Sequence, residues 1–184
     1  AMVESVDDAV GRVMGTLEEL NLAEKSLFIF TSDNGGLVGP THNAPLRSGK
    51  GYPFEGGIRV PFIVKWPGVV RAGTTSSQPV ISMDILPTVA AAAGVGLPKD
   101  VEIDGLDLKP LLTGEGSLKR ETLYWHFPHY RHDPGPYSII RDGDFKMIKW
   151  YEGQTFLFNL NEDIGESKDL AASRPEKVSE LDEK

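Results

Sequence analysis

The residues able to do chemistry gather between Phe28 and Pro61. They read F-I-F-T-S-D-N-G-G, then a loop punctuated by glycine and proline, then P-L-R-S-G-K-G-Y-P-F-E-G-G-I-R-V-P. Asp33 and Asn34 set a carboxylate and an amide oxygen side by side at the end of an apolar run, donors suited to a hard cation such as Ca²⁺ or Mg²⁺. Two oxygens fill only part of the shell of about six to eight that Ca²⁺ takes. D-N-G-G is also turn chemistry, and on residue types alone an Asx turn is the commoner outcome. Arg47 and Lys50 follow on a glycine-rich stretch, where a planar fork and a compact ammonium could hold an oxyanion. A solvated pair of loop charges is the plainer alternative, and Glu55 is near enough in sequence to pair with either cation. His42 lies between the two groups, able to line a pocket, to move a proton near neutral pH, or to fix the loop by hydrogen bonds.

These residues must be positioned by the elements around them. Val3, Val6, Val10, Val13, Met14, Leu17 and Leu20 recur at three- and four-residue spacing, which predicts an amphipathic helix over Val3 to Leu20. Ser26 to Thr31 is a continuous apolar run, suited to a strand covered on both faces in a parallel sheet. Asp33 and Asn34 then stand beyond the carboxyl end of that strand, where ligands bind in open α/β sheets. Gly35 to Pro53 is a long loop of the sort that usually carries function. A second strand is expected over Ile58 to Trp66, broken or at an edge because of Pro61. Ser82 could cap a helix to about Ala93, delayed or kinked by Pro87 and stopped by Gly94. Asp104 to Thr113 reads as a turn and a short helix.

Past Ser117 to Arg120 the pattern changes to short strands: Thr122 to Phe127, Tyr137 to Arg141, Phe145 to Tyr151 and Thr155 to Leu160. Asp142-Gly143 is a hairpin signal between two of them. A terminal helix is expected over Pro175 to Leu181, capped near Ser173. The chain is therefore α/β, with residues 1–118 belonging to an α/β region and 119–184 to a small antiparallel sheet with one helix.

Composition bounds the function. The chain has 184 residues and a net charge of −8, from 19 basic and 27 acidic residues, which lacks the basic footprint of a nucleic-acid binder. A locally positive site for a small anion is compatible with that balance. With no cysteine there is no disulfide, zinc-thiolate site or thiol nucleophile in these residues. Val89 to Leu97, the longest apolar stretch, is too short to cross a bilayer. The first residues carry no basic start or apolar core, so no leader is visible.

Taken together, S-D-N-G-G and N-A-P-L-R-S-G-K-G-Y-P-F-E-G-G-I-R-V-P-F-I-V-K-W-P-G closely resemble the sulfatase family of the alkaline-phosphatase-like superfamily, over Thr31 to Gly68. S-M-D-I-L-P-T-V-A-A-A-A-G, D-G-L-D-L-K-P-L-L-T-G, Y-W-H-F-P-H-Y and I-R-D-G-D-F-K-M-I extend the resemblance over nearly the whole chain. The resemblance implies the C-terminal part of an alkaline-phosphatase-like α/β/α domain followed by the small antiparallel subdomain. It implies that Asp33 and Asn34 ligate a calcium ion and that Lys50 contacts the substrate sulfate and stabilises charge near the leaving oxygen. For Arg47 it implies a loop-structuring or secondary anion role. The family's formylglycine nucleophile comes from a C/S-x-P-S/A-R motif, and that motif does not occur here. The expectation is a C-terminal portion of a longer sulfatase, inactive by itself, with the calcium site incomplete and the formylglycine supplied elsewhere. The substrate class implied is a sulfated small molecule or glycan, with no nucleic-acid or membrane partner. A periplasmic or extracellular location is implied for the parent enzyme, and self-association for the isolated chain through its uncovered apolar faces.

His126, His129 and His132 form H-x-x-H-x-x-H among prolines that oppose a helix. A three-histidine metal site is the least favoured reading. A loop at the active-site mouth, where His126 or His129 touches substrate, stands level with a plain surface loop. Trp66, Trp125 and Trp150 read as core anchors, and Asn161 to Asp169 as solvated acidic surface. Two other functions compete: a phosphatase or phosphonate-ester hydrolase of the same superfamily, and a non-catalytic binding module that kept the fold.

Overall fold

The computed structural model describes residues 2–184. The chain divides into two compact units. The first runs to Thr31 and then from Phe62 to Leu118; the second comprises Ser32–Pro61 and Lys119–Lys184. The loop with the candidate residues thus packs with the C-terminal sheet.

In the first unit, helix α1 spans Met2–Glu19, as its spacing predicts. None of its residues is buried, and Val3, Val6, Val13 and Leu20 are exposed along its apolar stripe. Strand β1 (Phe28–Thr31) pairs antiparallel with β2 (Phe62–Lys65), Phe28 opposite Lys65 and Thr31 opposite Phe62. The expected parallel, doubly covered strand is corrected here: an apolar run does not encode strand direction, and both strands are only partly covered. The second strand is also shorter than expected, because Ile58 ends a helical turn and Pro61 removes a ladder donor just before Phe62. Helix α2 (Glu55–Ile58) belongs to the second unit, and in the first a 3₁₀ turn at Ser82–Asp84 leads into helix α3 (Ile85–Ala92). Its organiser is Asp84, not Ser82. The fully buried Asp84 accepts from Ile81 N and Leu106 N, both at 2.9 Å. Thr88 donates to Asp84 O and accepts from Leu108 N. Pro87 sits in the first turn of α3, where its missing donor costs nothing, and Gly94, at φ 67°, ends it. Helix α4 is Lys109–Thr113.

The second unit holds helix α2 (Glu55–Ile58) and a meander of β3 (Thr122–Phe127), β4 (Tyr137–Asp142), β5 (Phe145–Trp150) and β6 (Thr155–Asn159) in that spatial order. All pairs are antiparallel, with Asp142 opposite Phe145 across the Asp142-Gly143 turn. Strand alternation sends Tyr137, Ile139, Ile148, Trp150 and Phe158 to one face, where Phe54 and Trp125 pack. It sends Ile140, Met147 and Leu157 to the other, against Leu181 of helix α5 (Pro175–Asp182). Helix α5 is preceded by Arg174, and Ser173 Oγ donates instead to Leu170 O. No helix among the described residues is long and apolar enough to cross a membrane.

Candidate active site

The loop after β1 is held by backbone contacts too close for side chains. Gly35 N donates to Gly57 O at 2.9 Å, Lys50 N to Gly36 O at 3.0 Å and Gly56 N to Arg47 O at 2.9 Å. A Cβ on Gly35 would fall 1.8 Å from Gly56 O, and one on Gly49 2.3 Å from Gly36 O. Asn43 staples the same turn, its amide donating to Gly36 O and Ser48 O, both at 2.9 Å. The backbone at Lys50 is thereby tied two residues past Asn34.

Asp33 is exposed and Asn34 half-buried, and the Asn34 amide donates to Asp33 Oδ1. Lys50 is half-buried. His42 is exposed. Arg47 is engaged with protein: its guanidinium donates to Glu166 O at 2.8 Å and lies 3.9 Å from the Phe54 ring centre. His126 lies on β3, its Nδ1 3.0 Å from Ser138 Oγ, and His129 meets Phe127 edge to face. His132 stacks flat on Tyr52, ring centres 3.9 Å apart. The three histidines thus have separate partners, and no group of three or more metal-capable His, Asp or Glu residues occurs among the described residues.

Two expectations are overturned beside this loop. Glu55 pairs with neither Arg47 nor Lys50 but with Lys146, at 2.9 Å, and with Arg59 at 3.6 Å. Glu166 is not solvated surface: it is fully buried, 2.8 Å from the same Lys146 ammonium, and accepts from Glu55 N at 2.6 Å. The signal was present in β5. In F-K-M-I-K-W the period of two puts Lys146 on the face of Ile148 and Trp150, where a buried lysine needs acidic partners.

A buried charge triad, an aromatic-backed arginine and a glycine knot thus hold one loop, which carries Asp33 and Asn34 at its start and Lys50 further along. Comparison with known proteins gives that loop a context. A profile described as Sulfatase matches residues 1–95, and one described as N-sulphoglucosamine sulphohydrolase, C-terminal, matches residues 49–183. A protein named Sulfatase from Formosa agariphila is 40% identical over 195 residues, covering 95% of this chain and 35% of its own length. The crystal structure of Ps i-CgsB in complex with k-i-k-neocarrahexaose superposes with a TM-score of 0.87 at 33% identity, over 98% of this chain and 40% of that one. The phosphonate monoester hydrolase of Agrobacterium radiobacter superposes with a TM-score of 0.76 at 27% identity, over 99% of this chain and 40% of that one. The chain spans 35% of the length of the curated relative. The matched profiles cover the strand end, the knotted loop and the C-terminal meander together, and on that ground the chain belongs to the sulfatase family.

Proposed function

We propose that the full-length protein is a sulfuric ester hydrolase, converting R–O–SO₃⁻ and water to an alcohol and sulfate, with a sulfated small molecule or glycan as substrate. In this reading Lys50 binds the sulfate and, as a fixed ammonium, offsets charge on the departing oxygen. Asp33 and Asn34 hold part of the shell of the calcium ion that the family implies. Their donor chemistry fits: both side-chain ends meet at one point beyond β1. Half a turn of the Asn34 amide exchanges its nitrogen there for its oxygen, leaving two oxygens for a hard cation. Bound calcium supplies Lewis acidity toward the sulfuryl oxygens. Arg47 and the buried triad hold the loop. His42, His126 and His129 stand as contacts to the rest of the substrate. The formylglycine that the family implies has no precursor motif within these residues, so the 184-residue chain alone is expected to show no turnover.

The observation that supports this reading is the 3.0 Å hydrogen bond from Lys50 N to Gly36 O, which ties the G-K-G turn to the chain two residues past Asn34. Lys50→Ala in the full-length protein should lower kcat on a sulfate ester by about 10²- to 10³-fold, the cost of losing one fixed donor to a developing anion, with an unchanged melting temperature. Chelation of calcium should lower the rate, and added calcium restore it. Undiminished turnover by the Lys50 variant would sink the assignment. A phosphonate ester is the second reading, supported by the fold shared with the Agrobacterium enzyme. Faster hydrolysis of a phosphonate than of a sulfate ester with the same alcohol would favour it.

A further inference from the structure

A cleft of about 510 Å³ opens in the second unit between Tyr52, the segment Tyr130, Arg131, His132 and Asp133, and Glu152. Its first lining residue, Tyr52, stands two residues after Lys50. The Gly51 backbone lies so close to its wall that a Cβ there would stand 2.7 Å from Arg131 Nε and 2.8 Å from His132 Nε2. A molecule gripped at Lys50 by one terminal group would extend its next ring into this neighbourhood.

The lining says what kind of ring. Two carboxylates, a guanidinium, an imidazole and two phenols form a polar wall, whereas an aryl or steroid body wants a mostly apolar pocket. Tyr130 is 74% exposed, yet it is not loose. Its hydroxyl donates to Glu152, a bond that holds the phenol above its usual pKa range and keeps its proton on. Its ring edge lies against Gly135, where a Cβ would come within 3.2 Å. An aromatic ring braced at its tip and edge, with the rest open to water, is a stacking platform for the flat apolar face of a sugar. The wall is fixed behind it, since His132 lies flat on Tyr52 with its Nε2 buried and without a hydrogen-bond partner.

We propose that this cleft is the subsite for the sugar ring flanking the sulfate, with Tyr130 as its stacking face and Arg131 and Glu152 as its polar contacts, so that the enzyme selects sulfated carbohydrates over aryl sulfates. The proposal rests on the sulfatase reading of Lys50 and adds specificity residues to it. Tyr130→Ala and Arg131→Ala in the full-length protein are assayed on carrageenan- and heparin-derived oligosaccharides and on 4-nitrophenyl sulfate. Each variant should lose at least about tenfold in kcat/KM on the saccharide that the parent cleaves best, and stay within about twofold on the aryl ester. Tyr130→Phe, which keeps the ring, should retain most saccharide activity; melting curves identify any variant that fails to fold. Equal losses on both substrate types, no loss on either, or a parent that cleaves only the aryl ester would overturn the subsite. Failure of the sulfatase reading looks different: Lys50→Ala would then leave turnover of both substrate types intact.

Discussion

Lys146 is fully buried between two carboxylates, Glu55 at 2.9 Å and Glu166 at 2.8 Å. One ammonium serving two acids divides its attraction, so for Glu166 the burial penalty wins and the carboxyl is pushed above its ordinary value of 4.5, with the pull of Lys146 opposing. A raised folded pKa gives stability that is complete below the unfolded value and lost as pH climbs through the folded one. Glu166→Gln keeps the shape and the acceptor for Glu55 N but cannot titrate. The unfolding free energy of the variant, measured in denaturant at a series of pH values, should therefore rise relative to the parent as pH goes from below 4.5 toward neutrality. A difference that stays flat with pH would show that the Glu166 charge is not the strained one. Removing Lys146 instead would strand two buried charges, a fault typically worth about 3–5 kcal/mol. That asymmetry explains why a lysine occupies an inward strand position otherwise filled by Ile148 and Trp150.

At the scale of elements, the loop after β1 is a backbone knot and its glycines are not interchangeable. Gly35→Ala drives a Cβ to 1.8 Å from Gly56 O, a rigid acceptor that can yield only if the loop shifts. A loss of about 1–3 kcal/mol is expected, as for overpacking elsewhere, with weaker calcium binding in the full-length protein. Gly11→Ala in α1 meets nothing within 4 Å and should be neutral or stabilising by up to about 1 kcal/mol, since glycine is a poor helix former. Denaturant melts of the two variants compare directly, and a Gly35 variant as stable as the parent would refute the knot. The same contrast shows what the sequence made legible. Period-two alternation and Asp142-Gly143 located β3 to β6 within a residue or so at each end, and Pro175 located α5, because local pattern and turn chemistry suffice for a meander. Asp33, Asn34 and Lys50 were legible as residue types, and the backbone bond that ties Lys50 to Gly36 was not, since it closes across a long loop. The parallel setting expected for β1 failed for the same reason, since its partner β2 lies across that loop and runs antiparallel. The partners of Glu55 lie 91 and 111 residues away in sequence, beyond any local pattern.

At the scale of the molecule, two tendencies oppose each other. The apolar stripe of α1 is uncovered, with Val3 84% exposed and no buried residue along the helix. Ile63 in β2 and Leu86 in α3 are exposed in the same unit. Exposed apolar side chains of this kind favour association. A net charge of −8 on a 20.1 kDa chain resists it. Salt separates the two, because it screens repulsion between exposed charges and leaves apolar burial intact. The 184-residue chain should therefore form oligomers whose mean mass, by sedimentation velocity, rises with protein concentration and with added sodium chloride. Val6 and Val13 lie seven residues apart on one face of α1, and changing both to lysine should return the mass toward 20.1 kDa. The lysines also reduce the net negative charge, so a purely electrostatic account predicts the opposite, more association in the double variant. An unmodified chain that stays monomeric across the concentration and salt series would show that the exposed stripe is too narrow to overcome the charge.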